Sequence, residues 1–367
     1  MNIENLNLIN FRNYDSLNIE FNNKLNIIIG KNAQGKTNIL ESIYYLSITR
    51  PVSFLNDKNI IKNGNDCCSI ISTIKLNETS FKLRIVIDKN NKKLFIDNNE
   101  IKKHSDFIGK LKVILYTPDS LNLIKLNPNN RRRFLNVGIS QLFTRYINIL
   151  NDFNVILRQR NEYLKIMKLG NYNVDYFDII TEKFVDLSVM IYKYRKKYVN
   201  QLNEQIDKIF YDIFNLNGLS INYITNFSIE DDDNLKTFML KKMHDNLSKE
   251  ILYGNTLLGP HRDDFLLEFC GNDMVSYGSQ GQLKLAVLTL KLAEVNVFYQ
   301  VSGTYPVLLL DDLFSELDII NRNKIIKYLK NLNIQIFITT TDLKNINKKI
   351  LGNIKVYEIK NGRVFNK

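Results

Sequence analysis

Eight residues near the start of this chain, Gly30-Lys31-Asn32-Ala33-Gln34-Gly35-Lys36-Thr37, narrow its fold more than any other stretch. They fit the spacing G-x-x-x-x-G-K-[ST] of a loop that wraps a polyphosphate. Both flanks agree. Leu25 to Ile29 is a short apolar run that reads as a buried strand, and Ile39, Leu40, Ile43 and Leu46 then fall at helical spacing. Strand, glycine loop and helix is the order this chemistry requires. Glycine lets backbone N–H groups curl around phosphate, and the helix N-terminus adds partial positive charge. Lys36 is placed to reach the β- and γ-phosphates and Thr37 to hold Mg²⁺. The alternative is a chance match in a glycine turn, and the flanking strand and helix speak against it.

A second motif completes such a site. Pro306 to Leu310 is an apolar run that ends in Asp311-Asp312. A buried strand that delivers two carboxylates at its C-terminal end is the other half of an ATPase: one acid serves Mg²⁺ and the next polarises the attacking water. Alone, the pair would read equally well as an exposed turn.

Size and composition bound the rest. A chain of 367 residues, 44% of them hydrophobic, is long enough for two domains and a substantial core. No apolar run approaches membrane-spanning length, and Met1-Asn2-Ile3-Glu4 lacks the basic and apolar regions of a signal peptide, so a cytoplasmic protein is expected. Three cysteines suit a reducing compartment, and neither they nor the three scattered histidines have zinc-site spacing. The net charge of +12 favours a polyanion such as nucleic acid. Compositional drift toward Lys, Asn and Ile is the competing explanation; it accounts less well for Arg131-Arg132-Arg133 and for Arg158 with Arg160.

The pattern along the chain divides it in three. Up to Pro118 it is mixed α/β, with alternating runs at Leu17–Phe21, Ile70–Leu76, Phe81–Ile87 and Leu94–Ile96, then an apolar strand at Val113–Tyr116. From about Asn127 to Asn217 it is helical. Phe177, Ile180, Phe184, Leu187, Ile191 and Tyr194 form a seam of threes and fours, predicting a helix over about Tyr176–Phe214 of roughly 55–60 Å. A helix over about Phe143–Lys168 would fold back on it across a Leu169-Gly170-Asn171 turn, as an arm or as the core of a helical subdomain. Glu230–Asp233 reads as a solvated loop. After Gly254 the α/β pattern resumes, with a further strand at Ile334–Ile338 ending in Thr339-Thr340-Thr341-Asp342. The expected architecture is therefore α/β: a nucleotide-binding head in two parts, 1–118 and 255–367, with an antiparallel β portion, and a helical insertion at 119–254 between them.

Ser279-Gln280-Gly281-Gln282 opens a helix with Leu283, Ala286, Val287 and Leu290 on one face. A hydroxyl and a glycine at a helix start make an anion site, though also an ordinary cap. With this loop, Asn10-Phe11-Arg12-Asn13-Tyr14, Gly30–Thr37 with Asn38, Gly259-Pro260-His261-Arg262-Asp263-Asp264, and Leu308–Asp318, the chain resembles the RecF family of bacterial DNA repair and recombination ATPases over nearly its whole length. The resemblance implies an ABC-type ATPase head with a helical insertion. ATP would sit on Gly30, Lys31, Asn32, Ala33, Gln34, Gly35, Lys36, Thr37 and Asn38, approached by Arg12, with Thr37 and Asp311 serving Mg²⁺. Lys36 and Asp312 would be catalytic. Asp312 stands where transporters usually have glutamate, and Thr339–Thr341 stand in place of a switch histidine, so the implied hydrolysis is slow and stimulated by DNA. Ser279, Gln280, Gly281 and Gln282 would act in trans, so that ATP drives dimerisation around double-stranded DNA; Ser315-Glu316-Leu317-Asp318 resembles the dimer-contact loop. Family members act in recombinational repair and at replication forks, work with RecO and RecR, and promote RecA loading at single-strand gaps near duplex junctions.

Two motifs stay open at this point. Gly259–Asp264 reads either as a tight turn with internal ion pairs or as a link between nucleotide and DNA, and Arg131, Arg132 and Arg133 read either as DNA contacts or as a solvated helix start. A transporter subunit would be shorter, with a fuller signature and a switch histidine. An SMC-like structural ATPase would need hundreds of heptad residues between the halves, and a nuclease fusion a second acidic cluster. A clamp that binds ATP as a non-hydrolysing structural switch is the remaining alternative.

Overall fold

The computed structural model describes residues 1–52, 56–125, 127–170, 173–226, 234–314, 317–341, 354–360 and 362–366. At its centre is a six-stranded sheet in the order Arg363–Asn366, Lys355–Lys360, Leu25–Ile29, Ile336–Thr340, Val307–Leu310, Val113–Tyr116. The neighbours are parallel except for the two C-terminal strands. Parallel strands covered on both faces need apolar residues at every position. Ile27, Leu308, Leu310, Ile336 and Ile338 accordingly face the helical part, while Ile28, Leu309 and Phe337 face a second sheet.

That second sheet is antiparallel, in the order Tyr14–Glu20, Asn2–Phe11, Cys67–Leu76, Thr79–Asp88, Lys92–Ile96, Asn99–Ile101. The helix Lys36–Ile48 completes this core, burying Ile39, Leu40, Ile43 and Leu46. The alternating runs expected from sequence are strands here. The first strand, Asn2–Phe11, was not expected: a register shift between Ile3 and Asn5 breaks its alternation.

The helical part contains Pro128–Leu142, Thr144–Lys168, Val174–Phe214 and Leu235–Tyr253. The long helix has 41 residues, about 60 Å. Asn173 caps its start by accepting from the Tyr176 N–H, and Asn215 ends it in the left-handed region. Of the expected turn, Asn171 lies outside the described residues, as does Glu230–Asp233. A buried ion pair ties the helices together. Arg160 Nη2 donates to Glu250 Oε2 at 2.7 Å, while its Nε and Nη1 reach Thr181 and Thr256. Glu250 Oε1 accepts from the Leu257 N–H, so both charges keep their hydrogen bonds out of water. The strand Leu219–Ile224, also unexpected, pairs with Asp264–Phe269 and so joins the 119–254 segment to the chain beyond it.

The Gly259–Asp264 turn lies at that junction. Gly259 has φ +127°, and a Cβ there would lie 2.8 Å from the Phe184 ring, so glycine is required. The Arg262 N–H closes the turn on the Gly259 carbonyl at 2.8 Å. Buried Arg195 donates to the Pro260 carbonyl at 2.7 Å, and Tyr223 donates its hydroxyl to the buried Asp263 carboxylate. His261 packs against Phe153 and Phe184, with Nε2 3.1 Å from the Thr256 carbonyl. Burial holds the His261 pKa down to about 4, against an ordinary 6.5; the bond to Thr256 opposes this, and Arg262, Arg132 and Arg160 reinforce it. The unfolded chain therefore takes up this proton first as pH falls. Stability contributed by neutral His261 is complete above about pH 6.5 and is lost progressively down to about pH 4, by up to about 3 kcal/mol. In denaturant titrations at stepped pH, His261→Phe should flatten that decline. A slope equal to that of the unaltered protein would show that other groups carry it.

Candidate nucleotide-binding site

The loop Gly30–Thr37 joins the strand Leu25–Ile29 to the helix Lys36–Ile48. Gly35 has φ +104°, and a Cβ there would lie within 2.6–2.9 Å of Asn13 and the Tyr14 hydroxyl; a Cβ on Gly30 would lie 2.7 Å from the Ile359 carbonyl. The helix starts with no side-chain cap and no acid in its first turn, leaving its first N–H groups and positive end for an anion. Lys36 bends over the loop, donating to the carbonyls of Gly30 at 2.7 Å and Lys31 at 3.0 Å. Burial lowers its pKa, and Asp312 and Asp311 pull it back up. Lys31, Asn32, Ala33 and Thr37 are exposed, and Gln34 and Asn38 partly so.

The N-terminal hairpin braces this loop. Tyr14 donates to the Gly35 carbonyl at 3.0 Å, Asn13 Nδ2 to the Gln34 carbonyl at 3.3 Å, and Asn38 Nδ2 to Asn13 Oδ1 at 2.7 Å. Arg12 stands beside them, with φ +53°, its guanidinium 3.1 Å from Glu41 and donating to the Asn59 carbonyl.

Two strands away, Asp311 comes to the same place. Thr37 Oγ1 lies 2.9 and 3.1 Å from its two carboxylate oxygens. Thr339, on the intervening strand, donates to Asp311 Oδ1 at 2.5 Å and accepts from the Asp312 N–H at 2.8 Å. Burial raises the Asp311 pKa, the Thr339 and Thr37 bonds oppose this, and the Asp312 charge adds to it. A threonine hydroxyl and a carboxylate in contact at the open end of a phosphate loop suit Mg²⁺, a hard cation that takes oxygen ligands. Asp312 follows with φ +46°, a left-handed conformation that aspartate tolerates better than most residues. Thr339 is fully buried and Thr340 nearly so, whereas Thr341 is exposed. Thr339 is thus a brace for Asp311 within the sheet. Asp342 lies outside the described residues.

Ser279 caps the helix Gln280–Ser302 through a reciprocal capping box: its Oγ accepts from the Gln282 N–H at 3.3 Å, and Gln282 Oε1 accepts from the Ser279 N–H at 2.9 Å. Ser279, Gln280 and Gly281 face solvent, and nothing lies within 4 Å of a Cβ built on Gly281. Among the described residues, the bonds of Ser279 and Gln282 stay within their own loop and none runs to Gly30–Thr37. Ser315 and Glu316 lie outside the described residues.

The three consecutive arginines all bond within the chain. Arg131 grips Asp264 with Nε at 2.6 Å and Nη2 at 2.8 Å, Arg132 donates to the Asp263 carbonyl at 2.7 Å, and Arg133 to the Pro51 carbonyl at 2.7 Å. All three are partly buried, and each spends donors on holding the chain together rather than lying on a solvated helix start. Sequence reading also missed a cavity of about 560 Å³ that runs from Thr37, Glu41 and Asp311 to Arg133, Lys291 and Glu294. Glu294, which lines it from the Gln280–Ser302 helix, accepts from Tyr198 of the long arm helix at 2.8 Å and pairs with Lys291 at 2.8 Å. Only tertiary packing assembles it.

Replacing Thr339 by valine should remove the brace at nearly constant volume. We expect a stability loss of about 1–2 kcal/mol by thermal unfolding and weaker binding of ATP with Mg²⁺. Thr341→Val should change neither, and equal effects from the two variants would contradict the assignment.

Comparison with known proteins follows the same lines. The family described as the RecF/RecN/SMC N terminal domain matches residues 2–364. Among curated relatives, the DNA replication and repair protein RecF of Clostridium acetobutylicum is 38% identical over 366 residues, and that of Bacillus subtilis strain 168 is 35% identical over 370; each match covers 99% of both chains. Among solved structures, the recombination mediator protein RecF with ATP, in the RecFOR pathway, superposes with a TM-score of 0.91 at 29% identity, covering 100% of this chain and 97% of that one. An Smc head bound to the C-winged helix domain of ScpA gives 0.57 at 15% identity over 100% and 98%, a likeness of fold.

Proposed function

The chain belongs to the RecF family, within the RecF/RecN/SMC N-terminal domain group, and on that premise we propose that it is an ATP-operated clamp on double-stranded DNA. The reading rests first on one contact: Thr37 and Asp311, 274 positions apart, meet at the open end of a phosphate loop. That is the arrangement an ABC-type ATPase needs.

ATP lies along Gly30–Asn38, with Lys36 on its terminal phosphates and Arg12 beside it. Mg²⁺ held at Thr37 and Asp311 would neutralise phosphate charge. Asp312 orients the attacking water, and hydrolysis to ADP and phosphate is slow and stimulated by DNA. The exposed Ser279–Gln282 loop caps the nucleotide of a second copy, so ATP closes a homodimer on duplex DNA or a single-strand/double-strand junction, and hydrolysis releases it. The net charge of +12 suits that partner. Likeness to a recombination mediator of the RecFOR pathway supports extending the role to RecO and RecR, to RecA loading at gaps and to replication forks, in the cytoplasm.

Light scattering on the protein with Mg²⁺ and either ATP or ADP tests the clamp. ATP should shift the mass from monomer to dimer, without DNA or with duplex added. Lys36→Ala and Ser279→Ala should each abolish the shift. No shift under either condition would overturn the clamp reading and leave a nucleotide-binding protein.

A further inference from the structure

Arg131 and Arg132 brace the Gly259–Asp264 turn, and Arg262 is the exposed charge of that turn. Asp264 is held by Arg131, the Asp263 carbonyl by Arg132, the Asp263 carboxylate by Tyr223, the Pro260 carbonyl by Arg195, and His261 by Thr256 and two phenyl rings. Arg262 sits among them and points to solvent. Among the described residues no hydrogen bond or ion pair engages its side chain.

A solvated arginine on a tight turn is the ordinary outcome for such a residue. Two features set this one apart. First, neither adjacent acid pairs with Arg262: Asp264 is gripped by Arg131, and Asp263 is buried with Tyr223 on its Oδ2, so the Arg262 guanidinium is left for an outside anion. Second, buried Arg195 and partly buried Tyr223, Arg131 and Arg132 converge on a six-residue turn. Buried polar networks rigidify what they hold. A rigid backbone lowers the conformational cost of ordering an arginine against a ligand.

We propose that Arg262 contacts a phosphate of duplex DNA. This rests on the clamp reading above. The backbone of duplex DNA is the phosphate source favoured here because the turn is tied to the arm helices and the Leu219–Ile224 strand, and none of the bonds holding it runs to Gly30–Thr37. Guanidinium suits the role through its fixed fork of donors.

The test uses the full chain with ATP and Mg²⁺, titrated with a fluorescent duplex across a range of salt, for the unaltered protein, Arg262→Ala and Arg262→Lys. A fluorescent ATP analogue is titrated in parallel. Arg262→Ala should bind duplex several-fold more weakly at low salt, and its plot of log affinity against log salt should be shallower by about one. Arg262→Lys should restore most of that slope, and all three proteins should bind the ATP analogue and melt alike. An unchanged slope and affinity in Arg262→Ala would overturn the proposal. So would a loss confined to the ATP analogue, which would assign the phosphate to nucleotide. If the unaltered protein binds no duplex at any salt, the clamp reading itself fails, a result distinct from either.

Discussion

The contact between Thr37 and Asp311 is the constraint on which the rest of the structure depends. It requires the strand that launches the phosphate loop and the strand that delivers the acid to stand on either side of Ile336–Thr340. The interposed strand contributes Thr339, whose single hydroxyl serves Asp311 as donor and the Asp312 N–H as acceptor. A site near residue 37 is therefore completed by the last tenth of the sequence. Parallel strands so far apart in the chain close only after a large loss of chain entropy. The apolar runs on these strands, buried on both faces, offset that loss.

The helical segment is held to this head by polar groups as well as by its apolar seam. Arg160 with Glu250 fixes three helices to one another, and Arg195 with Tyr223, Arg131 and Arg132 fixes the Gly259–Asp264 turn against them. Pairs this deeply buried contribute little net stability against an apolar alternative, yet removing one partner is costly. Their effect is to select a single arrangement. Tyr198 and Glu294 extend the same principle to the Gln280–Ser302 helix, beside a cavity that Asp311 also lines.

What could be read beforehand was what neighbours in sequence determine. The phosphate loop depends on glycines within eight residues, and the long helix on a seam of threes and fours, so its start at Val174 lies two positions from the expected Tyr176. Strands with clean alternation were legible for the same reason. Asn2–Phe11 was not, because a bulge shifts its pattern, and Leu219–Ile224 was not, because its partner lies beyond an entire helix. The arginines met a limit of another kind. Three consecutive charges look alike in sequence, and only the folded chain shows which carboxylate or carbonyl each one reaches. The hairpin residues Asn13 and Tyr14 carried a family resemblance but no visible role until they were seen to hold the loop at Gln34 and Gly35.

Calorimetric titration of ATP, with Mg²⁺ and then with a chelator, into the protein and into Asp311→Asn tests the central contact most directly. If Asp311 and Thr37 form one cation-assisted site, Mg²⁺ will tighten ATP binding in the unaltered protein. The variant will bind ATP equally with and without the metal, at about the affinity of the chelated protein. A variant that keeps the full Mg²⁺ effect would show that the two halves of the head do not meet at this carboxylate.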